Sequence, residues 1–229
     1  MTKFKIGNRS VGDMFPPLVI AEIGINHNGN LDLAITLADS AIKAGAEVIK
    51  HQTHIPEEEM SSEALKIKPG NSKKNIYSII KQCSLKEEDE VKLFNHVKSK
   101  KKTIISSPFS IKAVQRLAKL KVPAFKIGSG EANNHHFIEY VARYKKPIIL
   151  STGMNSISSL KKSIQILRKK KIPYALLHCT NLYPTSHKDV RLDCLTELKK
   201  YFPDAVVGLS DHTTSINSCL GAVALAAGS

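Results

Sequence analysis

The stretch LVIAEIGINHNGNLDLAITLADSAIKAG (18–45) decides the fold class. Its first six residues, Leu18–Ile23, are mostly apolar, too short for a stable helix, and suited to a strand covered on both faces. A polar cluster follows, and Asn30 stands where a helix cap is wanted. The apolar residues then change period. Leu31, Ala34, Ile35, Ala38 and Ile42 share one face of a helix that Gly45 can end.

The same rhythm runs outward along the chain. Further apolar runs lie at Val48–Ile49, Thr103–Ile105, Ala124–Ile127, Pro147–Leu150, Pro173–Leu177 and Ala205–Leu209. Helical patterns separate them. Ser84 and Glu87 have the spacing of a capping box, Ser110 precedes a second helix, and Asn155 or Ser156 a third. Residues 55–75 (IPEEEMSSEALKIKPGNSKKN) read as one long insertion after the second strand. Strands alternating with helices imply a parallel sheet joined by crossovers. Seven such units fit either an open doubly wound sheet or a closed barrel, and periodicity does not choose between them.

Chemistry gathers where the strands end. The runs close on Glu22; on Lys50, His51 and Gln52; on Ser106 and Ser107; on Lys126, Ser129 and Glu131; on Ser151 and Thr152; on Thr180, Asn181 and Tyr183; and on Ser210, Asp211 and His212. Parallel α/β folds place ligands at the carboxyl ends of their strands. Two lysines among neutral hydrogen-bonding groups suit a phosphate or carboxylate. Lys126 could instead form a Schiff base, and Glu22 and Glu131 offer acid–base groups. His212 could be a metal ligand, a general base or a structural histidine, since one histidine does not make a metal site. GSGEANN (128–134) begins like a dinucleotide fingerprint, but Asn133 replaces its last glycine.

Composition narrows the classes. The 229 residues are 42% hydrophobic and suffice for one sizeable core. Cys83, Cys179, Cys194 and Cys219 are too scattered for a zinc or redox pair and read as packed, reduced thiols. No leader opens the chain and no run approaches 18 apolar residues, so a soluble, cytoplasmic protein without membrane contact is expected. The net charge of +14 comes from lysine clusters such as Lys98–Lys102, without interleaved aromatics. It reads as solvated helix faces and steering of an anionic small substrate, not as a nucleic-acid surface.

Eight motifs in order, EIGINHNGN (22–30), KHQTH (50–54), PGN (69–71), SSPFS (106–110), FKIGSGE (125–131), STGMN (151–155), TNLYPT (180–185) and GLSDHT (208–213), resemble those of the sialic acid synthase family. KHQTH and GSGE look closest to its bacterial N-acetylneuraminate branch, with the pseudaminic and legionaminic acid synthases as the nearest alternatives. The resemblance implies a (β/α)₈ TIM-type barrel followed by a small antifreeze-like domain. It also implies condensation of phosphoenolpyruvate with N-acetylmannosamine, release of phosphate, a divalent metal (Mn²⁺ or Mg²⁺), and a homodimer at full length. By the matching motifs, Lys50, Lys126, Ser129, Ser151 and Asn181 would hold phosphoenolpyruvate, assisted by Gln52 and Ser107, where relatives more often carry Thr. Glu22, Asn71 and Tyr183 would contact the sugar, Glu131 would manage protons or water, and His212 would be one of two metal histidines.

Against that pattern, the sequence stops after seven β/α units, before an eighth strand, and without the antifreeze-like domain. A non-catalytic remnant that only binds ligand is the alternative from another class. An incomplete barrel leaves two unpaired strand edges, so residues 1–229 alone are expected to be poorly stable and weakly active or inactive. Cooperative unfolding of that purified polypeptide, together with ordinary turnover, would contradict this expectation.

Overall fold

The apolar runs are strands, and a helix follows each of them. This computed structural model describes residues 2–69 and 72–227, without the side chains of residues 226 and 227. Two compact units divide the chain: Leu18–Pro123, and Met1–Pro17 with Ala124–Ser229. The first residues, which carry no long apolar run, form an antiparallel hairpin of β1 (Lys3–Ile6) and β2 (Arg9–Gly12). Its period is two: Phe4 and Ile6 are buried while Lys3 and Lys5 are exposed.

In the Leu18–Pro123 unit the order is β3 (Ile20–Gly24), α1 (Leu31–Lys43), β4 (Val48–Thr53), α2 (Pro56–Glu59), α3 (Ile76–Cys83), α4 (Glu87–Ser99), β5 (Thr103–Pro108) and α5 (Ile111–Lys119). β3, β4 and β5 are parallel, with Glu22 beside Lys50 and Gln52 beside Ser107. Asn30 caps α1 by accepting from the Leu33 amide at 2.8 Å, and Ser110 caps α5 by accepting from Ala113 at 3.1 Å. Phe94, Leu93 and Val97 of α4, Val114 and Leu117 of α5, and Ile104 and Ile105 of β5 are fully buried.

One reading of this unit needs correction. The Ser84–Glu87 capping box does not form: the Ser84 hydroxyl donates to the Ile80 carbonyl at 2.6 Å. The last turn of α3 therefore consumes the group that would have opened α4, and Lys86 takes the cap position without a side-chain bond. The insertion after β4 stands, and it contains α2 and a short 3₁₀ turn, Ser62–Leu65. The early acidic residues of α2 and the proline at its first position favour a helix start there.

The second unit continues from the hairpin with β6 (Phe125–Ile127), α6 (His135–Val141), β7 (Ile148–Ser151), α7 (Ile157–Lys169), β8 (Tyr174–His178), α8 (Asp193–Tyr201), β9 (Val206–Leu209) and α9 (Asn217–Ala227). Its four later strands are parallel and adjacent in chain order. Ser156 caps α7, accepting from Ser159 at 3.2 Å. The alternation of parallel strands and helices makes both units α/β, as expected. No helix among the described residues is long and apolar enough to cross a membrane.

Gly29 shows how tightly the β3–α1 loop is seated. Its φ is +73°, and a β-carbon there would lie 2.4 Å from the Gln82 carbonyl oxygen of α3. Gly29→Ala is expected to cost about 1–3 kcal/mol, the usual scale for a side chain forced into the left-handed region. Urea denaturation measures the loss, and an unchanged midpoint would show that the loop relaxes freely.

Candidate active site

The strand period of β4 separates two kinds of chemistry in the Leu18–Pro123 unit. Lys50 and Gln52 alternate onto one face, and His51 and Thr53 onto the other. On the first face Lys50 forms an ion pair with Glu22, its neighbour in register on β3. Gln52 is half-buried and lies beside buried Ser107 of β5. A β-carbon added at Gly24 would sit 3.0 Å from Glu22 Oε1 and 3.3 Å from Gln52 Nε2, so the glycine leaves room for both groups. Asn71, expected to contact a sugar, lies outside the described residues.

The second face carries a buried relay that the sequence reading did not find. His27 Nδ1 accepts from the Gly29 amide at 3.2 Å, so its hydrogen resides on Nε2 and is donated to His51 Nε2 at 3.2 Å. His51 Nδ1 in turn faces Glu90 Oε1 at 3.3 Å. The same carboxylate accepts from Thr53 and, at 3.2 Å, from Arg116. Hydrogen bonds from His51 and Thr53 and the charge of Arg116 hold Glu90 below the ordinary carboxylate range, although its burial pushes the other way. Burial, and then the neighbouring His51, lower the pKa of His27 to about 4. Alternation on β4 could have exposed this relay, because His51 and Thr53 are polar on a face that must pack against helices.

In the second unit, Lys126 is 4% exposed. Its Nζ donates to the Ile127 carbonyl at 2.9 Å and to Ser151 Oγ at 2.6 Å. Among the described residues no carboxylate pairs with it. Burial lowers its pKa to about 8. Ser129 Oγ lies 3.0 Å from Cys179 Sγ, which is 3.6 Å from Asn181 Oδ1. Cys179 is therefore part of this polar cluster, not merely packing as expected; it directly follows β8, where the strand-end rule would have marked it. Gly153 closes the wall, since a β-carbon there would lie 1.9 Å from Asn181 Oδ1 and 2.7 Å from Cys179 Sγ. Glu131 instead accepts from Asn134 at 2.7 Å, with no contact to Lys126 among the described residues.

The rings of Tyr183 and His212 are in contact, with centroids 4.3 Å apart and planes tilted by 35°. His212 Nδ1 donates to the Thr180 carbonyl at 2.9 Å, which leaves Nε2 as the nitrogen with a lone pair. That is the arrangement of a histidine prepared to ligate a metal. The neighbouring Asp211 carboxylate is taken up by the Thr213 hydroxyl and amide. No group of three or more His, Cys, Asp and Glu side chains among the described residues is placed to hold a metal. His212 thus fits as one ligand of a site that those residues do not complete.

Residues 37–229 match the model of the NeuB family. The chain is 38% identical over 228 residues to an uncharacterized protein of Methanocaldococcus jannaschii, covering 99% of this chain and 64% of that one. It is 35% identical to the N,N'-diacetyllegionaminic acid synthase of Campylobacter jejuni, covering 92% and 65%. It is also 34% identical to the human N-acetylneuraminate-9-phosphate synthase, covering 96% and 62%. The chain thus spans less than two thirds of the length of these relatives. Among solved structures, the N-acetylneuraminic acid synthetase of Leptospira borgpetersenii matches with a TM-score of 0.87 and 30% identity, over 97% of this chain and 74% of that one.

The histidine relay carries a pH dependence whose sign is fixed. His27 takes up its proton near pH 6.5 when unfolded and only near 4 when folded. Stability is therefore complete above pH 6.5 and falls as the pH drops from 6.5 to 4, by up to about 3 kcal/mol. Glu90 adds to the loss in acid, because its lowered pKa favours the folded state only while it is ionised. Denaturation midpoints across pH 4–7 test this, and a flat profile would contradict it.

Proposed function

The chain belongs to the NeuB family, and from that premise we propose that it condenses phosphoenolpyruvate with an N-acylated amino sugar, N-acetylmannosamine in the first instance. Carbon 3 of phosphoenolpyruvate bonds to the aldehyde carbon of the open-chain sugar, water supplies the new oxygen at carbon 2, and phosphate leaves by C–O cleavage. The observation that carries this reading is Lys126, a buried ammonium held, among the described residues, by a carbonyl and a hydroxyl. An isolated cation in that position is costly until an anion joins it. Phosphoenolpyruvate supplies both a phosphate and a carboxylate.

Residue roles follow the motifs. Lys126, Ser129, Ser151 and Asn181 hold one end of phosphoenolpyruvate, and Lys50, with Gln52 and Ser107, serves the same substrate. Glu22, Asn71 and Tyr183 meet the sugar, and Glu131 handles protons or water. A divalent ion, Mn²⁺ or Mg²⁺, bound in part through His212 Nε2, would polarise the aldehyde oxygen. The seven β/α units support reading residues 1–229 as a partial (β/α)₈ barrel domain of a synthase, and a homodimer at full length is what the family resemblance implies. The relatives make legionaminic and neuraminic acid derivatives at nearly equal identity, so a legionaminic or pseudaminic precursor is the alternative sugar. The lowered pKa of Lys126 favours one other chemistry, a Schiff base with pyruvate as in aldolases.

One assay separates these. Phosphate release should require phosphoenolpyruvate together with one N-acyl amino sugar, and kcat/KM should fall as pH rises past about 8, where the Lys126 amine loses its proton. Lys126→Met should lower kcat/KM by about a hundredfold or more, as expected for removing a buried charge partner. Borohydride trapping of pyruvate on Lys126, without phosphate release, would replace the synthase reading with the aldolase one.

A further inference from the structure

The residue after β4, His54, continues the alternation of Lys50 and Gln52, yet neither the motif roles nor the relay on the other face uses it. His54 and Glu59 are both about nineteen-twentieths buried, and His54 Nδ1 lies 2.8 Å from Glu59 Oε1. The ring stacks on Phe109 with centroids 4.1 Å apart and planes within 10°. On its other edge, Nε2 is 3.1 Å from Gln52 Oε1. The second Glu59 oxygen accepts from the Ile55 amide at 3.4 Å, which anchors the carboxylate at the start of α2.

The direction of these bonds fixes which end of Gln52 faces outward. Gln52 has its amide nitrogen over Gly24, near the Glu22 carboxylate, and its oxygen 3.1 Å from His54 Nε2. Its carbonyl oxygen is therefore the end turned to His54, and an oxygen can only accept. His54 Nε2 must carry a hydrogen. Nδ1 then either donates to the Glu59 carboxylate from a doubly protonated ring or accepts from a protonated Glu59.

We propose that the Glu59–His54 pair is a positioning device that locks the Gln52 carboxamide with its NH₂ group toward the substrate, making position 52 a hydrogen-bond donor suited to an anionic ligand. Reversal of the amide would present an oxygen to the same space and repel a phosphate or carboxylate. The consequence for catalysis rests on the phosphoenolpyruvate reading above, whereas the bond direction does not.

Two measurements keep these apart. A long-range ¹H–¹⁵N correlation spectrum of the histidine rings at pH 7, assigned with His54→Gln, reads the hydrogen on Nε2 without any substrate. A protonated Nε2 is expected, and a bare lone pair there overturns the proposal. In the phosphate-release assay, His54→Phe keeps a ring against Phe109 but loses both bonds. It should raise KM for phosphoenolpyruvate about tenfold with kcat nearly unchanged, the signature of lost uniform binding. Gln52→Leu should do the same, the double variant should be no worse than either alone, and His54→Gln, which retains a donor near the lost Nε2, should recover most of the affinity. Additive effects in the double variant would overturn the proposal. Absence of turnover by the wild-type protein would sink the synthase reading and leave the spectrum to judge the bond direction.

Discussion

Glu90 is a carboxylate 1% exposed, closed between α4 and β4 and surrounded by His51, Thr53 and Arg116. Burying such a group is unfavourable unless every oxygen is engaged. Three elements meet that demand together, because His51 and Thr53 come from β4, Glu90 from α4 and Arg116 from α5. The requirement fixes the rotation of β4 about its own axis. With His51 and Thr53 bound on one side, Lys50 and Gln52 are committed to the other, where Glu22 and Ser107 stand beside them in register. A slip of one residue would turn every one of these side chains to the wrong face.

The second unit meets a similar problem in another way. Lys126 is nearly as buried as Glu90, but its partners among the described residues are neutral. The contrast is what the proposed function rests on. A charge sealed by its own chain belongs to the architecture, while one whose described partners are dipoles alone is the candidate for pairing with a bound anion.

Much of this was legible in the sequence, for physical reasons that differ by element. The strand runs and the caps at Asn30 and Ser110 were readable because short-range periodicity and side-chain-to-backbone bonds are local. Polar residues at the carboxyl ends of the strands were readable within each unit because the apolar runs stop there. The Ser84 box failed because the preceding helix, α3, competes for the same hydroxyl. The His27–His51–Glu90 relay joins residues far apart in the chain, which no local pattern connects. Cys179 was passed over because a thiol resembles a small apolar group until Ser129 and Asn181 are found beside it.

The depressed pKa of Lys126 also has a thermodynamic side. Near pH 8 the buried amine is only partly protonated in the free protein. An anion settling against it favours the charged form, so binding draws a proton from solution. Part of the heat of association then belongs to the buffer that gives up that proton, and it changes with the buffer's own enthalpy of ionisation. On the proposed reading, Lys126 would take up acid along with its anion, which would bind more tightly where protons are plentiful.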